Sequence, residues 1–255
     1  MMDLAHGLIE LIEQVGSRED LGEAMTAITR RLGFEFFALT HHVDVQANEG
    51  DVIHLHNYPE RWAEYYDSMA LGLADPVHRA AHVTSVGFRW SQLKKLIALE
   101  KRDMKILDKG RQQGIGDGFT VPANVPGEAR GSCTFANRDS SQFPEAMMPL
   151  AQLVGAFAFE AARRLLIPPG DPACQDLPRL TPRQRDCALW VARGKTDWEV
   201  SRILGIEEDT VTRHIKMACE RYGVNKRTLL AVRTLFDGTL SFSEIVARRY
   251  TPFRE

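Results

Sequence analysis

At 255 residues, 44% hydrophobic and 26% charged, the chain has the length for two hydrophobic cores and a globular composition that excludes disordered and fibrous classes. No apolar run approaches the ~18–20 residues that cross a bilayer, and the acidic start MMDLAHGLIELIEQ lacks the basic region and cleavage site of a signal peptide. The formal charge of −2 hides an asymmetry: residues 177–255 hold 15 Lys and Arg against 10 Asp and Glu, a net of +5, whereas residues 1–176 carry −7. A basic end on an acidic body suits a module that meets phosphate at one end only. The excess is modest, so tight binding calls for two copies of the module on one site. Cys133, Cys174, Cys187 and Cys219 form no CxxC pair, the pattern of free thiols in a reducing compartment.

In chain order, Leu4, Leu8, Leu11, Ile12 and Val15 predict a first helix with one apolar side. Ser17 caps a second, in which Leu21, Met25, Ile28 and Leu32 share a face until Gly33. Residues 34–43 and 52–57 read as strands around a polar turn at 46–51. Helix is expected over 60–69, as a short turn after Asp75-Pro76, and as one long charged segment over 91–109. Strands at 118–123 and 131–136 precede a last apolar helix over about 144–166. The order αα-ββ-α-α-ββ-α implies an α+β domain, an antiparallel sheet between helices in an α-β-α sandwich. Four prolines in residues 168–178 mark a linker between an N-terminal domain, 1–167, and a C-terminal domain, 179–255.

The C-terminal part predicts short helices only. Thr181-Pro182 with Gln184, and Thr196 with Glu199, are capping boxes that satisfy the orphan N–H groups of a helix start. Val200, Ile203 and Leu204 share one face, Gly205 makes the turn, and Val211, Ile215, Ala218 and Cys219 point a second helix inward. Its outer face shows Thr212, Arg213, Lys216 and Glu220, the helix-turn-helix layout in which the second helix enters the DNA major groove. A fourth helix, KRTLLAVRTLF, carries Leu229, Val232 and Phe236 on a stripe. Leu180-Thr181-Pro182-Arg183, Trp190, Gly194-Lys195-Thr196, Glu199, Ile203-Leu204-Gly205-Ile206, Thr210-Val211, His214-Ile215-Lys216 and Tyr222-Gly223-Val224 closely resemble the DNA-binding domain of the LuxR family.

The N-terminal part holds Tyr58, Trp62, Tyr66, Asp75-Pro76, Trp90 and Gly118. Rings with polar tips beside one carboxylate suit a cavity that is apolar in body and hydrogen-bonding at one end, although large aromatics also serve simply as core. The spacing Trp62, Tyr66, Asp75-Pro76, Trp90, then Gly118-Phe119-Thr120-Val121-Pro122, is similar to that of LuxR-family quorum-sensing receptors, and the likeness runs from about Leu21 to Phe236. The resemblance implies an N-acyl-homoserine lactone as signal ligand and no cofactor. Trp62 would donate to the lactone carbonyl, Asp75 would accept the amide N–H, and Tyr58 and Thr134 would hold the acyl carbonyl. Tyr66 and Trp90 would wall the pocket. It further implies a cytoplasmic homodimer on double-stranded DNA, with RNA polymerase as a further partner, no membrane, and Thr210, Thr212, Arg213 and Lys216 as DNA contacts.

Some residues depart from the family pattern: Gln184 for Glu, Ala188 for Leu, and Glu207 for Ser at the recognition-helix cap. Arg130 sets a charge near the pocket, and the tail from Thr239 has no assigned role. Two alternatives compete with the lactone receptor. One is a regulator of the same fold reading another small molecule or none. The other is a metal-dependent enzyme using His78, His82 and Asp75, against which stand the missing HExxH, third ligand and nucleophile elbow.

Overall fold

The computed structural model describes residues 2–43, 52–139, 143–166 and 178–246. The chain divides into two compact units, the second carrying residues 170–255. The expected turn at 46–51 and all but the last residue of the expected linker at 168–178 lie outside the described residues.

In the N-terminal unit, helices α1 (Met2–Glu13) and α2 (Arg18–Arg31) precede strands β1 (Phe36–His41) and β2 (His54–His56). Helices α3 (Glu60–Ser68) and α4 (Pro76–Ala81) lead to a two-residue strand β3 (Phe88–Arg89) that periodicity did not reveal. Helices α5 (Leu93–Leu96) and α6 (Lys101–Gln112), strands β4 (Asp117–Ala123) and β5 (Gly131–Asn137), and helix α7 (Met148–Leu166) complete it. The strands pair antiparallel in the order β2-β1-β5-β4-β3.

Side chains alternate across a sheet, and the two faces here have different partners. Odd-numbered residues (Phe37, Leu39, Phe119, Val121, Cys133, Phe135) join Leu8, Ile12, Leu21, Met25, Ile28, Val154 and Phe159 from α1, α2 and α7 in the main core. On the opposite face, Phe36 and Ala136 pack with Trp62, Leu71, Ile106 and Ile115. The expected α-β-α sandwich is therefore present. Ser17 caps α2 as predicted, its hydroxyl accepting from the Asp20 N–H at 3.1 Å. Leu11, expected on the apolar side of α1, is instead exposed.

The single helix expected over 91–109 is broken in two. Ile97 is extended, at φ −139° and ψ 154°, so Ile97 and Leu99 both reach the cluster of Val77, Phe88 and Leu93. In a continuous helix, residues two apart would face nearly opposite ways. Glu100 restarts the helix with its N–H on Asp103 Oδ2 at 2.8 Å, and Arg79 grips both oxygens of that buried carboxylate at 2.8 and 3.0 Å. The break turns on tertiary contacts that helical propensity does not report.

The C-terminal unit holds α8 (Pro182–Ala192), α9 (Asp197–Leu204), α10 (Glu208–Arg221), α11 (Arg227–Phe236) and α12 (Phe242–Val246). Both predicted capping boxes form, and Gly205 makes the α9–α10 turn at φ +67°, where a Cβ would be strained. Leu189, Val200, Val211, Ile215, Ala218, Leu230 and Leu240 form the core. The start of the tail is structural: Leu240 is buried, Arg185 donates to the Thr239 carbonyl at 3.1 Å and to Glu244 at 2.6 Å, and Arg193 donates to the Glu244 carbonyl. Helix α11 buries Leu230 and Thr234, which leaves the predicted stripe of Leu229, Val232 and Phe236 exposed.

Gly118 lets β4 pass directly beneath the indole of Trp90. A Cβ there would lie 2.7 Å from the ring and 2.9 Å from the Phe135 carbonyl oxygen, and that backbone cannot yield. Gly118→Ala is therefore expected to destabilise the chain by about 1–3 kcal/mol through overpacking. Urea unfolding checks this, and an unchanged midpoint at constant slope would contradict it.

Candidate ligand cavity and nucleic-acid interface

The even-numbered sheet face, roofed by α3, α4 and α6, encloses a cavity of about 300 Å³. Tyr58, Trp62, Tyr66, Asp75, Trp90 and Thr134 all line it, so the structure gathers all six candidate residues from five segments of the chain. Trp62 and Tyr66 share one face of α3, with ring centroids 5.6 Å apart. Asp75 caps α4, one oxygen accepting from the Val77 N–H at 2.7 Å and the other from the Tyr66 hydroxyl at 2.7 Å. Burial, and then the Asp75 charge, push the Tyr58 and Tyr66 phenols up, so both remain protonated donors.

A second chain of bonds runs along the sheet. The Trp90 indole N–H donates to Thr120 Oγ1 at 3.0 Å, and Thr120 and Thr134 hydroxyls lie 2.9 Å apart. Indole can only donate. Thr120 can then pass its own proton to Thr134, which leaves the Thr134 proton available to the cavity. By contrast, the Trp62 indole N–H and the Tyr58 hydroxyl find no hydrogen-bond partner among the described residues. Both side chains line the cavity, so these two donors are available to a molecule that carries acceptors.

The sequence reading gave His54 and His56 no role and raised His78 only as a metal ligand in the enzyme alternative. His54, His56 and His78 line the cavity, and the alternation His54, His56, Tyr58 was the available signal. Behind them, His42 Nδ1 lies 2.8 Å from His82 Nε2 and His42 Nε2 lies 2.9 Å from Ser132 Oγ. The His42 and His78 rings stack at 3.8 Å. Both nitrogens of His42 are engaged by protein groups, and no group of three or more metal-ligating side chains is gathered among the described residues. Arg130 is exposed and is not part of the cavity wall.

In the C-terminal unit, α10 presents Arg213 and Lys216 to solvent with no ion pair among the described residues. Thr210 is half-buried in the first turn. Thr212 is exposed, but its hydroxyl donates to Asp197 Oδ2 at 2.8 Å, and Arg227 holds the other oxygen of Asp197 at 2.6 Å. Thr212 thus ties α10 to the start of α9. Glu207 caps α10 without a side-chain bond. Trp198 and Arg202, exposed on α9, were not singled out from sequence.

A small-molecule cavity in one unit and a helix-turn-helix in the other define a ligand-responsive transcriptional regulator. Residues 17–162 match the autoinducer-binding domain, and residues 178–234 match the luxR family of bacterial regulatory proteins. The chain is 27% identical over 241 residues to a putative HTH-type transcriptional regulator of Sinorhizobium fredii, covering 91% of this chain and 72% of that one. It is 24% identical over 243 residues to the transcriptional activator LuxR of Aliivibrio fischeri, covering 93% and 95%. Among solved structures, SdiA in complex with octanoyl-rac-glycerol aligns over 92% of this chain and 95% of its own, at TM-score 0.65 and 20% identity, which shows a common fold. The chain belongs to the luxR family: it is a quorum-sensing transcriptional regulator with an autoinducer-binding domain, and not an enzyme.

Burial, together with the neighbouring His78, holds His42 well below 6.5, with smaller contributions from His82, His41 and Arg130. Burial and Arg130 hold His82 at about 4. Above the unfolded value of about 6.5 neither group adds pH dependence. Between there and about 4 the unfolded chain binds protons that the folded unit refuses, so stability falls as pH falls. Thermal unfolding across that window should show the loss, reduced in His82→Asn; a variant with the wild-type slope would contradict it.

Proposed function

We propose that the cavity binds an N-acyl-homoserine lactone, and that the protein acts in the cytoplasm as a homodimer on double-stranded DNA, with RNA polymerase as a further partner. The observation that carries this reading is that the Trp62 N–H and the Tyr58 O–H have no partner among the described residues, and that both side chains line one cavity with Asp75. A lactone carbonyl, an amide N–H and an acyl carbonyl supply the complement: acceptors for Trp62 and for the Tyr58–Thr134 pair, and a donor for Asp75. Asp75 already accepts two bonds, and a carboxylate has room for more. Tyr66 and Trp90 wall the pocket. The SdiA complex raises a second reading, a glycerol ester, which would offer Asp75 a hydroxyl in place of an amide N–H.

The lactone reading is tested at Asp75. Asn keeps the cap on Val77 but cannot match the carboxylate as acceptor. Wild-type protein should gain about 2.7 kcal/mol of stability at a lactone concentration a hundredfold above Kd. Asp75→Asn should lose most of that gain while its ligand-free melting stays near wild type. An undiminished lactone shift would remove Asp75 from the site.

Exposed apolar side chains support the dimer: Leu229, Val232 and Phe236 along α11, and Leu153 and Phe157 one turn apart on α7. Two recognition helices about one DNA turn apart would then read a two-fold operator, with Arg213 and Lys216 at phosphates or base edges and Thr210 and Thr212 beside them. Lys216→Ala should weaken binding to all sequences and lower the slope of log affinity against log salt by about one. An unaltered slope and affinity would take Lys216 out of the interface.

A further inference from the structure

One wall of the cavity is polar where an alkyl chain would require it to be apolar. Strand β2 and the residues after it send His54, His56 and Tyr58 to the cavity side, and each two-residue step covers about 7 Å. The partner of His54 across the ladder is Thr40, whose hydroxyl also lines the cavity. Asp67 borders the same region, its Oδ2 3.3 Å from His54 Nε2. His56 Nδ1 is buried away from the cavity, while His56 Nε2 and the Thr40 hydroxyl have no hydrogen-bond partner among the described residues.

We infer that this wall, one to two strand steps from Tyr58, receives a hydroxyl group carried far along the signal's acyl chain. The signal is then a hydroxylated acyl-homoserine lactone, and this rests on the lactone reading above. The charges around the wall select the group. Asp67 disfavours a carboxylate, while Arg111 in the cavity wall and Arg18, bonded to the His54 carbonyl, disfavour an ammonium. The imidazole of His56 stays neutral because burial, and next His54, lower its pKa. With Nδ1 out of reach, the neutral ring offers Nε2 alone, a donor or an acceptor according to its tautomer, and a hydroxyl can meet either. A plain alkyl chain laid on His56 and Thr40 would bury them unpaired, the arrangement by which sites reject analogues lacking a polar group.

The test is calorimetric titration of the full chain with two series of lactones, plain hexanoyl, octanoyl and decanoyl, and the same chains hydroxylated at the terminal carbon. At the best length the hydroxylated lactone should bind at least about tenfold tighter than its plain counterpart. His56→Leu should abolish or reverse that preference. Plain lactones that bind as tightly at every length would overturn the inference and leave the lactone reading standing. A preference that survives in His56→Leu would overturn the role of this wall. No binding by either series to folded protein would overturn both readings. Should the variant fail to fold, the wild-type comparison still decides.

Discussion

The carboxylate of Asp75 orients the polar end of the ligand cavity. It caps α4 through the Val77 N–H, accepts the Tyr66 hydroxyl from α3, and adds to burial in keeping the Tyr58 and Tyr66 phenols protonated. Two helices that share no regular hydrogen bonds thereby acquire a fixed relation over the sheet. The charge is tolerable beside an apolar cavity because both oxygens are satisfied by N–H and O–H donors. Its remaining lone pairs give the cavity an acceptor that is already oriented.

Around that anchor the polar groups fall into two sets. The Trp90 N–H and the Thr120 hydroxyl are paired within the protein, and the Tyr66 hydroxyl is paired with Asp75. Trp62, Tyr58 and His56 are not, although they lie on the same cavity. Each buried group left unpaired costs about 1–3 kcal/mol, so an occupant that pairs them stabilises the unit by more than its apolar contacts alone. The proposed regulation follows from this: ligand burial completes the N-terminal core, and the completed unit favours the dimer that sets two recognition helices at the spacing of an operator. On this account the signal acts by finishing a structure rather than by pushing on one.

Much of this was legible in the sequence, for identifiable reasons. Helix caps and periodicities are local, so Ser17, Thr181, Thr196 and Gly205 marked their boundaries, and the resemblance to the LuxR family named the six cavity residues. What escaped were features set by distant partners. The break at Ile97 depends on a cluster under α4 and on Arg79 reaching Asp103. The engagement of Thr212 by Asp197 joins residues fifteen apart across the turn. The stripe on α11 was visible as a pattern, but a period reveals that a face is apolar and not what covers it. The histidines of β2 alternate plainly, yet nothing local says that their face looks into a cavity.

The central claim is that Trp62 and Tyr58 wait for a ligand while Trp90 does not. Indole nitrogen-15 labelling tests this directly, because the chain has four tryptophans and each contributes one Nε1–H resonance. Binding a lactone should move the Trp62 resonance strongly and slow its exchange with solvent, as a new hydrogen bond forms. Trp90, already bonded to Thr120, should move little. A lactone that binds tightly yet leaves Trp62 unmoved would contradict the account.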